Sequence, residues 1–397
     1  PDLKKKSIIR KISVQFLERL TLLFNFNNAI IINNPYIGAV GYLKLIIKLK
    51  KIPFLYNCRK FISNKKSILK RNFKLKKNGS ESTLESIIKD LIPHQIPKCY
   101  LEDWDLLNDE LSKINLPKSS LVIYTCSGVP SDEVFRLYIA RKHMFGTKYC
   151  ISQHGGVYGT MVVPPKAEFV EHRVADKWFS WGWQKKGFEN VVPGLNLKNC
   201  TTSYVSKRSD GNLLISLPTL RYCPVRIVYN NHKEITSQIG KLISDLNNVP
   251  PNKIVVRVNP NQKKSDITRT ISSSFKLSQT KKFWDEMSQS RLFVCLNNST
   301  TVLEALSMNF PTVLIFTGAE ALFREESKTY FKLLHEARIL HFSYSSAVEH
   351  IDLIWNDIDN WWNEINLQDS RKKFCSNYSN ANSGWDSLLA NFIMSCK

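Results

Sequence analysis

Acidic and hydroxyl side chains follow an apolar, strand-like run at Leu121–Cys126, in the segment Ser127-Gly-Val-Pro-Ser-Asp-Glu133. Active sites of α/β proteins collect at the carboxyl ends of strands, where Asp132 could act as a general base or as a nucleophile toward an anomeric carbon. Glu133 lies beside it and could bind the acceptor substrate of a transfer reaction. The alternative is plain helix capping, with Ser131 as the N-cap and both carboxylates in the first helical turn. The sequence leaves both interpretations open.

A glycine-rich loop presents a histidine at the end of the next strand-like run, in Ile151-Ser-Gln-His-Gly-Gly-Val-Tyr-Gly159. Gly155 and Gly156 permit a tight turn and a close approach to a donor. His154 could therefore donate a hydrogen bond to a leaving phosphate or hold a donor carboxylate, with Tyr158 near the acceptor. A lone histidine is usually structural, but this setting favours a functional role.

A hydroxyl-rich turn joins a strand to a helix in Leu292-Phe-Val-Cys-Leu-Asn-Asn-Ser-Thr-Thr-Val-Leu-Glu-Ala-Leu306. Ser299, Thr300 and Thr301 would place hydroxyls and unbonded amides where an anion gathers. The alternative is an ordinary Ser/Thr N-cap. Glu304 could complete a capping box with Thr301 or accept a hydrogen bond from a ribose hydroxyl.

Two further strand ends carry a cation that could bind an anionic donor, Arg221 in Pro218–Tyr222 and Arg257 in Ile254–Pro260. The nearest match to a metal-binding D-x-D pattern, Asp103-Trp-Asp105, falls in a polar, helical region rather than beside a strand. We therefore expect neither a metal nor a cofactor, with helix N-termini and basic side chains stabilising a leaving phosphate.

Short apolar runs alternate with helical patterns from Leu121 onward, which indicates α/β layers built on parallel sheets. The predicted strands are Leu121–Cys126, Tyr149–Ser152, Trp178–Trp181, Leu213–Leu217, Ile254–Val258, Leu292–Leu296 and Val313–Phe316. The predicted helices are 131–145, 232–247, 280–288, 300–308 and 319–337.

A polar, aperiodic segment, Asn190–Asn212, fits a linker between two Rossmann-like halves. We therefore expect a GT-B-like α/β fold in which two Rossmann-like domains face a cleft. The predicted domains are an acceptor-binding and catalytic domain at 1–200, a donor-binding domain at 201–347, and a Trp-rich helical tail at 348–397 that packs back across both.

Basic residues concentrate near the N-terminus, where residues 1–78 hold 19 Lys and Arg against Asp2 and Glu18. A compositional bias explains such an excess, and so does an anionic partner. Basic and apolar residues are interleaved there as on a surface that lies against anionic lipid, namely at Leu43, Lys44, Ile46, Ile47, Lys48, Leu49, Lys50 and Lys51. No nucleic-acid-binding motif accompanies the charge.

The apolar runs and the cysteines indicate the cellular compartment in which the chain works. No uninterrupted apolar run reaches the roughly 18 residues that a membrane-spanning helix requires, so we expect no such span. The nine cysteines are scattered and form no C-x-x-C pair. This pattern indicates reduced thiols in a cytosolic protein and argues against a zinc site.

The motif Q-H-G-G-x-Y-G, followed by a carboxylate shortly before A-D-K-W-F-S-W-G-W, resembles a family of bacterial surface-polysaccharide transferases. That family is in turn similar to the Kdo transferases of capsule and O-antigen assembly. The resemblance covers about residues 120–320 and implies a GT-B glycosyltransferase with CMP-linked Kdo or a related ulosonic acid as donor. It matches Asp132, His154 and Glu171 to catalytic positions, with Asp132 as the nucleophile of a retaining enzyme.

The resemblance does not decide which nucleotide sugar is the donor. In CMP-sugar transferases a His-Pro turn and a Ser-Ser turn contact the nucleotide, and Asn259-Pro260 and Ser299-Thr300 occupy similar places. The histidine is absent here, so another nonulosonic acid or an NDP-hexose stays an alternative donor.

The implied partners are a nucleotide sugar, a glycan or lipid-linked acceptor near Glu168, and the anionic inner face of the cytoplasmic membrane at residues 1–78, with no nucleic acid. The expected location is therefore cytoplasmic and peripheral to the membrane. A hypothesis of another class is a non-catalytic basic protein that binds a membrane or nucleic acid.

Overall fold

The computed structural model describes residues 28–58, 61–62, 71–129, 132–201, 208–217, 232–258, 275–278, 283–318 and 320–397. The chain forms two compact units. The first holds the described residues up to Pro35, with Leu43–Ile151 and Ala390–Lys397, and the second holds Tyr36–Tyr42 and Ser152–Leu389. The domain boundaries predicted at 200 and 347 stay a prediction.

The first sheet has six strands in the order β2-β1-β3-β4-β5-β6, and the pairings β1–β2, β1–β3 and β5–β6 are parallel. Every residue of the first strand, Ala-Ile-Ile-Ile-Asn, is buried. Such a continuous apolar run is typical of a parallel strand that is covered on both faces. The strands are β1 (Ala29–Asn33), β2 (Phe54–Tyr56), β3 (Ser120–Cys126), β4 (Lys148–Ser152), β5 (Lys177–Phe179) and β6 (Val191–Val192).

The second sheet has six strands in the order β12-β11-β10-β7-β8-β9, with all five pairings parallel. Ser216 in β7 pairs with Cys295 on one side and with Arg257 on the other, so these three residues share the carboxyl edge of the sheet. The strands are β7 (Asn212–Ser216), β8 (Ile254–Arg257), β9 (Lys276–Leu277), β10 (Ser290–Cys295), β11 (Thr312–Ile315) and β12 (Leu340–His341).

Helices connect the strands. The helices up to the second sheet are α1 (Gly38–Leu49), α2 (Thr83–Gln95), α3 (Trp104–Ser112), α4 (Glu133–Met144), α5 (Lys166–Val174) and α6 (Leu197–Cys200). The later helices are α7 (His232–Asp245), α8 (Phe283–Met287), α9 (Thr300–Ser307), α10 (Glu325–Glu336), α11 (Tyr344–Ile354), α12 (Ile358–Trp362), α13 (Ile365–Tyr378) and α14 (Trp385–Met394). Single helical turns occupy Lys98–Tyr100, Pro251–Lys253 and Glu320–Leu322.

The C-terminal helices support helix α9. The Arg371 side chain on α13 donates to the carbonyl of Leu306 at 2.7 Å, and the Ser379 hydroxyl donates to the carbonyl of Leu303 at 2.9 Å. The Leu306 carbonyl also accepts from the Asn309 amide at 3.1 Å, so the side-chain bonds from the tail add to the backbone bonds at the end of α9. The tail therefore fixes the helix whose first turn was predicted to bind the donor.

The predicted fold class is confirmed: the chain is α/β, with two parallel Rossmann-like sheets and C-terminal helices. Each of the predicted strands and helices is present, with ends shifted by a few residues, the largest shift being the start of α10 at Glu325 rather than 319. The predicted linker at 190–212 contains β6 and α6 and lies within the second unit.

Two expectations need correction. Cys150 and Cys396 form a disulfide, so the prediction of reduced thiols is wrong for this pair, while the other described cysteines are not disulfide-bonded. On helix α1, Leu43 and Ile47 are exposed, but Leu49 is buried, because that side of the helix packs on the protein. The predicted lipid-facing surface therefore excludes Leu49. Among the described helices, none has the length and apolarity needed to cross a membrane.

Candidate functional site

Asp132 caps helix α4 in the first unit. Its Oδ1 atom accepts a hydrogen bond from the Phe135 amide at 2.9 Å, and its Oδ2 atom accepts one from the Tyr56 hydroxyl at 2.7 Å. The residue is fully buried. The N-cap is therefore Asp132 and not Ser131, which lies outside the described residues, and Glu133 is the first residue of the helix. These are the contacts of a helix cap, and the catalytic role of Asp132 stays a prediction.

The two motifs predicted to bind the donor meet in the second unit. The Gly156 amide donates to the Thr300 hydroxyl at 2.9 Å, which joins the histidine loop to the start of α9. A Cβ atom on Gly156 would lie 2.7 Å from the Ser299 carbonyl carbon, and one on Gly155 would lie 3.3 Å from the Thr300 hydroxyl. Glycine is required at position 156 because any side chain would collide with backbone.

The backbone amides in the first turn of α9 have no side-chain cap: the N-cap residue does not bond to them. Ser299 is the N-cap, yet its hydroxyl makes no hydrogen bond to the helix backbone and instead lies 2.8 Å from the Thr301 hydroxyl. The amides of the first turn have no partner within a helix, so they present positive dipoles to an anion. Asn298 also contacts the loop, since its side-chain amide donates to the Thr160 hydroxyl at 2.9 Å.

Glu304 does not form the predicted capping box, because α9 begins at Thr300 and places Thr301 inside the helix. Its carboxylate is buried and forms an ion pair with Lys198 on α6. Burial raises the pKa of the Glu304 carboxyl, and the Lys198 ammonium opposes that shift. The pair anchors α6 to α9, and a ribose contact stays a prediction.

His154 is paired with Tyr158. The Tyr158 hydroxyl lies 3.0 Å from the His154 Nδ1 atom, and the two rings meet edge to face. Burial lowers the pKa of the His154 imidazole, so the ring is neutral at pH 7. If the hydroxyl donates to Nδ1, the ring proton sits on Nε2, which can then donate to an oxyanion without a charge on the ring.

Gln153 orders this loop and was not predicted from the sequence. Its Oε1 atom accepts from the Trp181 amide at 3.0 Å and from the Trp183 indole at 2.9 Å. Its side-chain amide donates to the Gly155 carbonyl at 2.7 Å. The first letter of the Q-H-G-G motif was the available signal, because a buried amide with this many partners must have them all in place.

Glu168, predicted at the acceptor, is fully buried in α5. Its Oε2 atom accepts from the Gly159 amide at 3.0 Å, and its Oε1 atom forms an ion pair with Arg324 and lies 3.5 Å from Lys185 Nζ. The carboxylate therefore holds the end of the histidine loop against two cations. Lys185 and Arg324 were not predicted, and contact with an acceptor stays a prediction.

Glu171 and His172 belong to an aromatic cluster under the loop. Glu171 accepts from the Trp178 indole at 3.1 Å and is buried, which is a supporting arrangement. Burial, with help from nearby Lys185 and Arg324, lowers the pKa of His172 to about 3, so its ring stays neutral. The catalytic role of Glu171 stays a prediction.

Arg257 lies at the carboxyl edge of the second sheet, as predicted from its position at a strand end. Its Nη1 atom donates to the Ser278 hydroxyl at 3.3 Å, and the Ser278 hydroxyl donates to Glu286 at 2.7 Å. Burial lowers the pKa of the Arg257 guanidinium, and the carboxylates of Glu286 and Asp285 oppose that shift. Arg221, Asn259 and Pro260 lie outside the described residues.

The structure thus brings together the His154 loop, Gly155, Gly156 and the Ser299–Thr301 turn, while Arg257 shares the sheet edge that precedes this turn. Asp132 and Glu133 belong to the other unit. Among the described side chains there is no cluster of three His, Cys, Asp or Glu residues suited to a metal ion. Metal-independent chemistry stays a prediction.

A family model described as LIC12162 family transferase matches residues 2–393. Among curated proteins, none matches this sequence. Solved structures with a similar fold include MurG from Acinetobacter baumannii, 12% identical at a TM-score of 0.38, with 93% of this chain and 99% of that chain covered.

Two further structures cover 93% of this chain and 100% of their own at a TM-score of 0.45. They are the spinosyn rhamnosyltransferase SpnG, 9% identical, and an α,α-trehalose-phosphate synthase (UDP-forming) from Burkholderia vietnamiensis, 10% identical. At identities this low and TM-scores this small, the likeness says nothing about activity.

Proposed function

The chain belongs to the LIC12162 transferase family, and from this premise we propose that it is a glycosyltransferase that moves a sugar from a nucleotide donor to a surface-polysaccharide or lipid-linked acceptor in bacteria. Membership in the family confirms the prediction of a transferase enzyme. The observation that carries the glycosyl assignment is the hydrogen bond between Gly156 and Thr300. This bond holds the loop that carries the neutral His154 ring against the first turn of α9, which has no side-chain cap.

The uncapped first turn of α9 binds the donor phosphate in this proposal, because its amides and its dipole favour an anion. His154 donates from Nε2 to the leaving oxygen, and a neutral donor avoids the cost of placing a second charge in a half-buried site. Arg257, at the same sheet edge, contributes a cation toward the nucleotide. Asp132 and Glu171 remain proposed catalytic carboxylates.

The donor is CMP-linked Kdo or a related ulosonic acid in our proposal, and the transfer needs no metal and no cofactor. The support is the resemblance of the Q-H-G-G-x-Y-G segment to surface-polysaccharide transferases that are similar to Kdo transferases. The Ser299-Thr300 turn also lies in a place similar to the Ser-Ser turn of CMP-sugar transferases. An NDP-hexose or another nonulosonic acid is the alternative donor.

A panel of CMP-, UDP- and GDP-sugars tested by thermal shift identifies the donor, because the true donor binds the folded state and raises its melting temperature. At 100 times Kd the stabilisation is about 2.7 kcal/mol. The Thr300→Val variant should lose most of this effect, while Thr83→Val, an exposed position on α2, should keep it. A wild-type protein that no sugar nucleotide stabilises would refute the proposal.

We also propose that the first unit docks on an anionic membrane surface as a cytoplasmic, peripheral protein. Helix α2 turns an apolar stripe outward, with exposed fractions of 66%, 51%, 47% and 50% for Leu84, Ile87, Ile88 and Leu91. This spacing forms one face of a helix, and in soluble helices that face is normally buried.

The side of α2 away from the stripe is polar and contacts a basic segment. Lys77 Nζ lies 2.9 Å from Asp90 and 2.7 Å from the Ser86 hydroxyl, and the Lys89 ammonium donates to the Lys76 carbonyl at 3.1 Å. Lys74 and Lys76 stay exposed beside it. A bilayer with anionic headgroups matches both the apolar stripe and its basic neighbours.

Co-sedimentation with vesicles of phosphatidylcholine, with or without phosphatidylglycerol, tests this docking. The double variant Ile87→Gln, Leu91→Gln should bind anionic vesicles several-fold more weakly than wild type. The matched control is Leu353→Gln, Ile365→Gln, which alters two exposed aliphatic residues of the second unit. Equal binding by all three proteins, or self-association through α2 without vesicle binding, would overturn it.

A further inference from the structure

Two cations in the second unit share one carboxylate oxygen. Glu168 Oε1 forms the ion pair with Arg324 and also lies 3.5 Å from Lys185 Nζ, while Oε2 is occupied by the Gly159 amide. One negative charge therefore faces two positive charges. Removing charges from water is costly unless they are paired, so this arrangement leaves one positive charge without a full partner.

A third cation stands close to this pair. The Arg173 guanidinium lies 4.0 Å from the Phe169 ring centroid and 5.7 Å from that of Phe188, and Lys185 Nζ lies 4.4 Å from the same Phe188 ring. Phe188 therefore holds Arg173 and Lys185 on a common aromatic surface. Desolvation, Arg324 and Arg173 all lower the pKa of Lys185, and Glu168 only partly opposes them.

The exposure of the cluster shows where a ligand can reach it. The Glu168 side chain is 0% exposed, whereas those of Arg324 and Lys185 are 15% and 23% exposed. The carboxylate is thus enclosed, and the two cations lie at the solvent side. An incoming anion meets the positive groups first.

The neighbouring His172 supplies no negative charge. Its Nδ1 atom lies 3.4 Å from Lys185 Nζ, and its Nε2 atom is buried without a hydrogen-bond partner among the described residues. The neutral imidazole therefore does not compensate the positive charges of Lys185 and Arg324.

We infer that Lys185 and Arg324, with Arg173 beside them, bind an anionic oxygen group of the substrate, either a carboxylate or a phosphate. Lysine and arginine are the side chains that bind such groups, and arginine can do so with two parallel bonds. This inference rests on the proposed function for the identity of the substrate, but it concerns residues outside the proposed donor turn.

Hydrogen bonds donated by two backbone amides join the cluster to the histidine loop. Gly159 donates to Glu168, and the Arg324 amide donates to the Thr160 carbonyl at 2.9 Å. These bonds fix the far end of the loop. His154 lies near the start of the same loop, and Gly156, which contacts Thr300, lies in its middle. The Lys185 ammonium is therefore linked through the Glu168 carboxylate to the loop that presents the histidine.

Isothermal titration at constant ionic strength tests the site with three probes: inorganic phosphate, CMP and free Kdo. Lys185→Gln leaves the Arg324–Glu168 ion pair intact, so the variant should fold, and it should weaken binding of at least one probe about tenfold, as expected for one charge-assisted bond. The matched control Lys186→Gln removes an exposed neighbouring lysine and should bind like wild type. Glu168→Gln, which removes the opposing negative charge, should bind the same probe more tightly.

The three probes separate the sources of the anion. A loss confined to Kdo assigns the site to a sugar carboxylate, and a loss with CMP or phosphate assigns it to a phosphate. Equal affinities of wild type and Lys185→Gln for all three probes would overturn the site, even if a sugar nucleotide still binds and the proposed function stands. Lysine-dependent phosphate binding without any sugar-nucleotide binding would refute the proposed function and leave this site in place.

Discussion

The amide of Gly156 donates a hydrogen bond to the hydroxyl of Thr300, 2.9 Å away and 144 positions later in the chain. The bond connects the loop after β4 with the start of α9, so two motifs that are distant in sequence form one surface. Because the Gly156 amide is bonded to the first residue of α9, the position of His154 depends on the position of that helix. The second unit thus carries both the proposed phosphate-binding turn and the proposed histidine donor.

The contact predicts that Gly156→Ala is strongly destabilising. The added Cβ atom would lie 2.7 Å from the Ser299 carbonyl carbon and 2.8 Å from the Thr300 nitrogen, and backbone atoms cannot move aside easily. We expect a loss of about 1–3 kcal/mol in the free energy of unfolding, measured by urea denaturation. Gly240→Ala on α7 is the control, since its Cβ would meet no atom within 4 Å, and it should be neutral or stabilising. Equal stability of both variants would contradict the contact.

His154→Ala should reduce turnover by about 10²–10³-fold while the melting temperature changes little, because the residue is assigned to the leaving group and not to the core. Tyr158→Phe removes the hydroxyl that lies 3.0 Å from Nδ1. It should lower the rate less and alter the pH profile, since the tautomer is no longer fixed. Nucleotide release from the donor reports both effects. A His154→Ala enzyme with wild-type turnover would exclude the histidine from the reaction.

Asp132→Asn separates the two roles of this residue. The amide oxygen can still accept from the Phe135 amide, so the helix cap is retained, whereas a carboxylate nucleophile is lost. If Asp132 is catalytic, the variant should melt within a few degrees of wild type and lose most turnover. Asp132→Ala is a poorer test, because loss of the cap costs about 1–2 kcal/mol by itself. Full activity in Asp132→Asn would leave Asp132 with the role of a cap alone.

The sequence predicted the elements whose patterns are long and continuous. Apolar runs such as Leu121–Cys126 are seen as strands because both faces of a parallel sheet are buried. Strands β6, β9 and β12 were not predicted, because each has two residues and a period cannot be detected over that length. The first strand, Ala29–Asn33, was not distinguished from the longer apolar region around it.

The sequence predicted which motifs form the candidate site, but it did not predict the contacts between them. Q-H-G-G and the Ser299–Thr301 turn carry their own signals, but the need for glycine at 156 is visible only once Ser299 lies against it. Arg324 pairs with Glu168 across 156 positions, and no local pattern marks such a pair. Asp132 was ambiguous because a cap and a nucleophile both require a carboxylate after a strand.

We expect the buried His350 to make the folded chain less stable in acid. Burial, with contributions from His341 and Arg338, lowers its pKa to about 3, and both ring nitrogens are buried without hydrogen-bond partners among the described residues. Below about pH 6.5 the unfolded chain takes up a proton that the folded chain does not, so the free energy of unfolding falls as pH falls toward 3. The slope is about 1.4 kcal/mol per pH unit for this residue.

His350→Leu should therefore lose about 2 kcal/mol less stability than wild type between pH 6.5 and 5, measured by urea unfolding followed through tryptophan fluorescence. The exposed His94→Leu on α2 serves as the control for removal of an imidazole and should keep the wild-type pH dependence. Identical pH dependence in all three proteins would show that His350 does not resist protonation in the folded chain.

A crystal structure with the stabilising sugar nucleotide would locate the donor directly. We predict a phosphate oxygen within about 2.7–3.2 Å of the amides in the first turn of α9, with His154 Nε2 directed at the same phosphate. A nucleotide bound away from Ser299–Thr301, with His154 making no contact to it, would refute the proposed donor site.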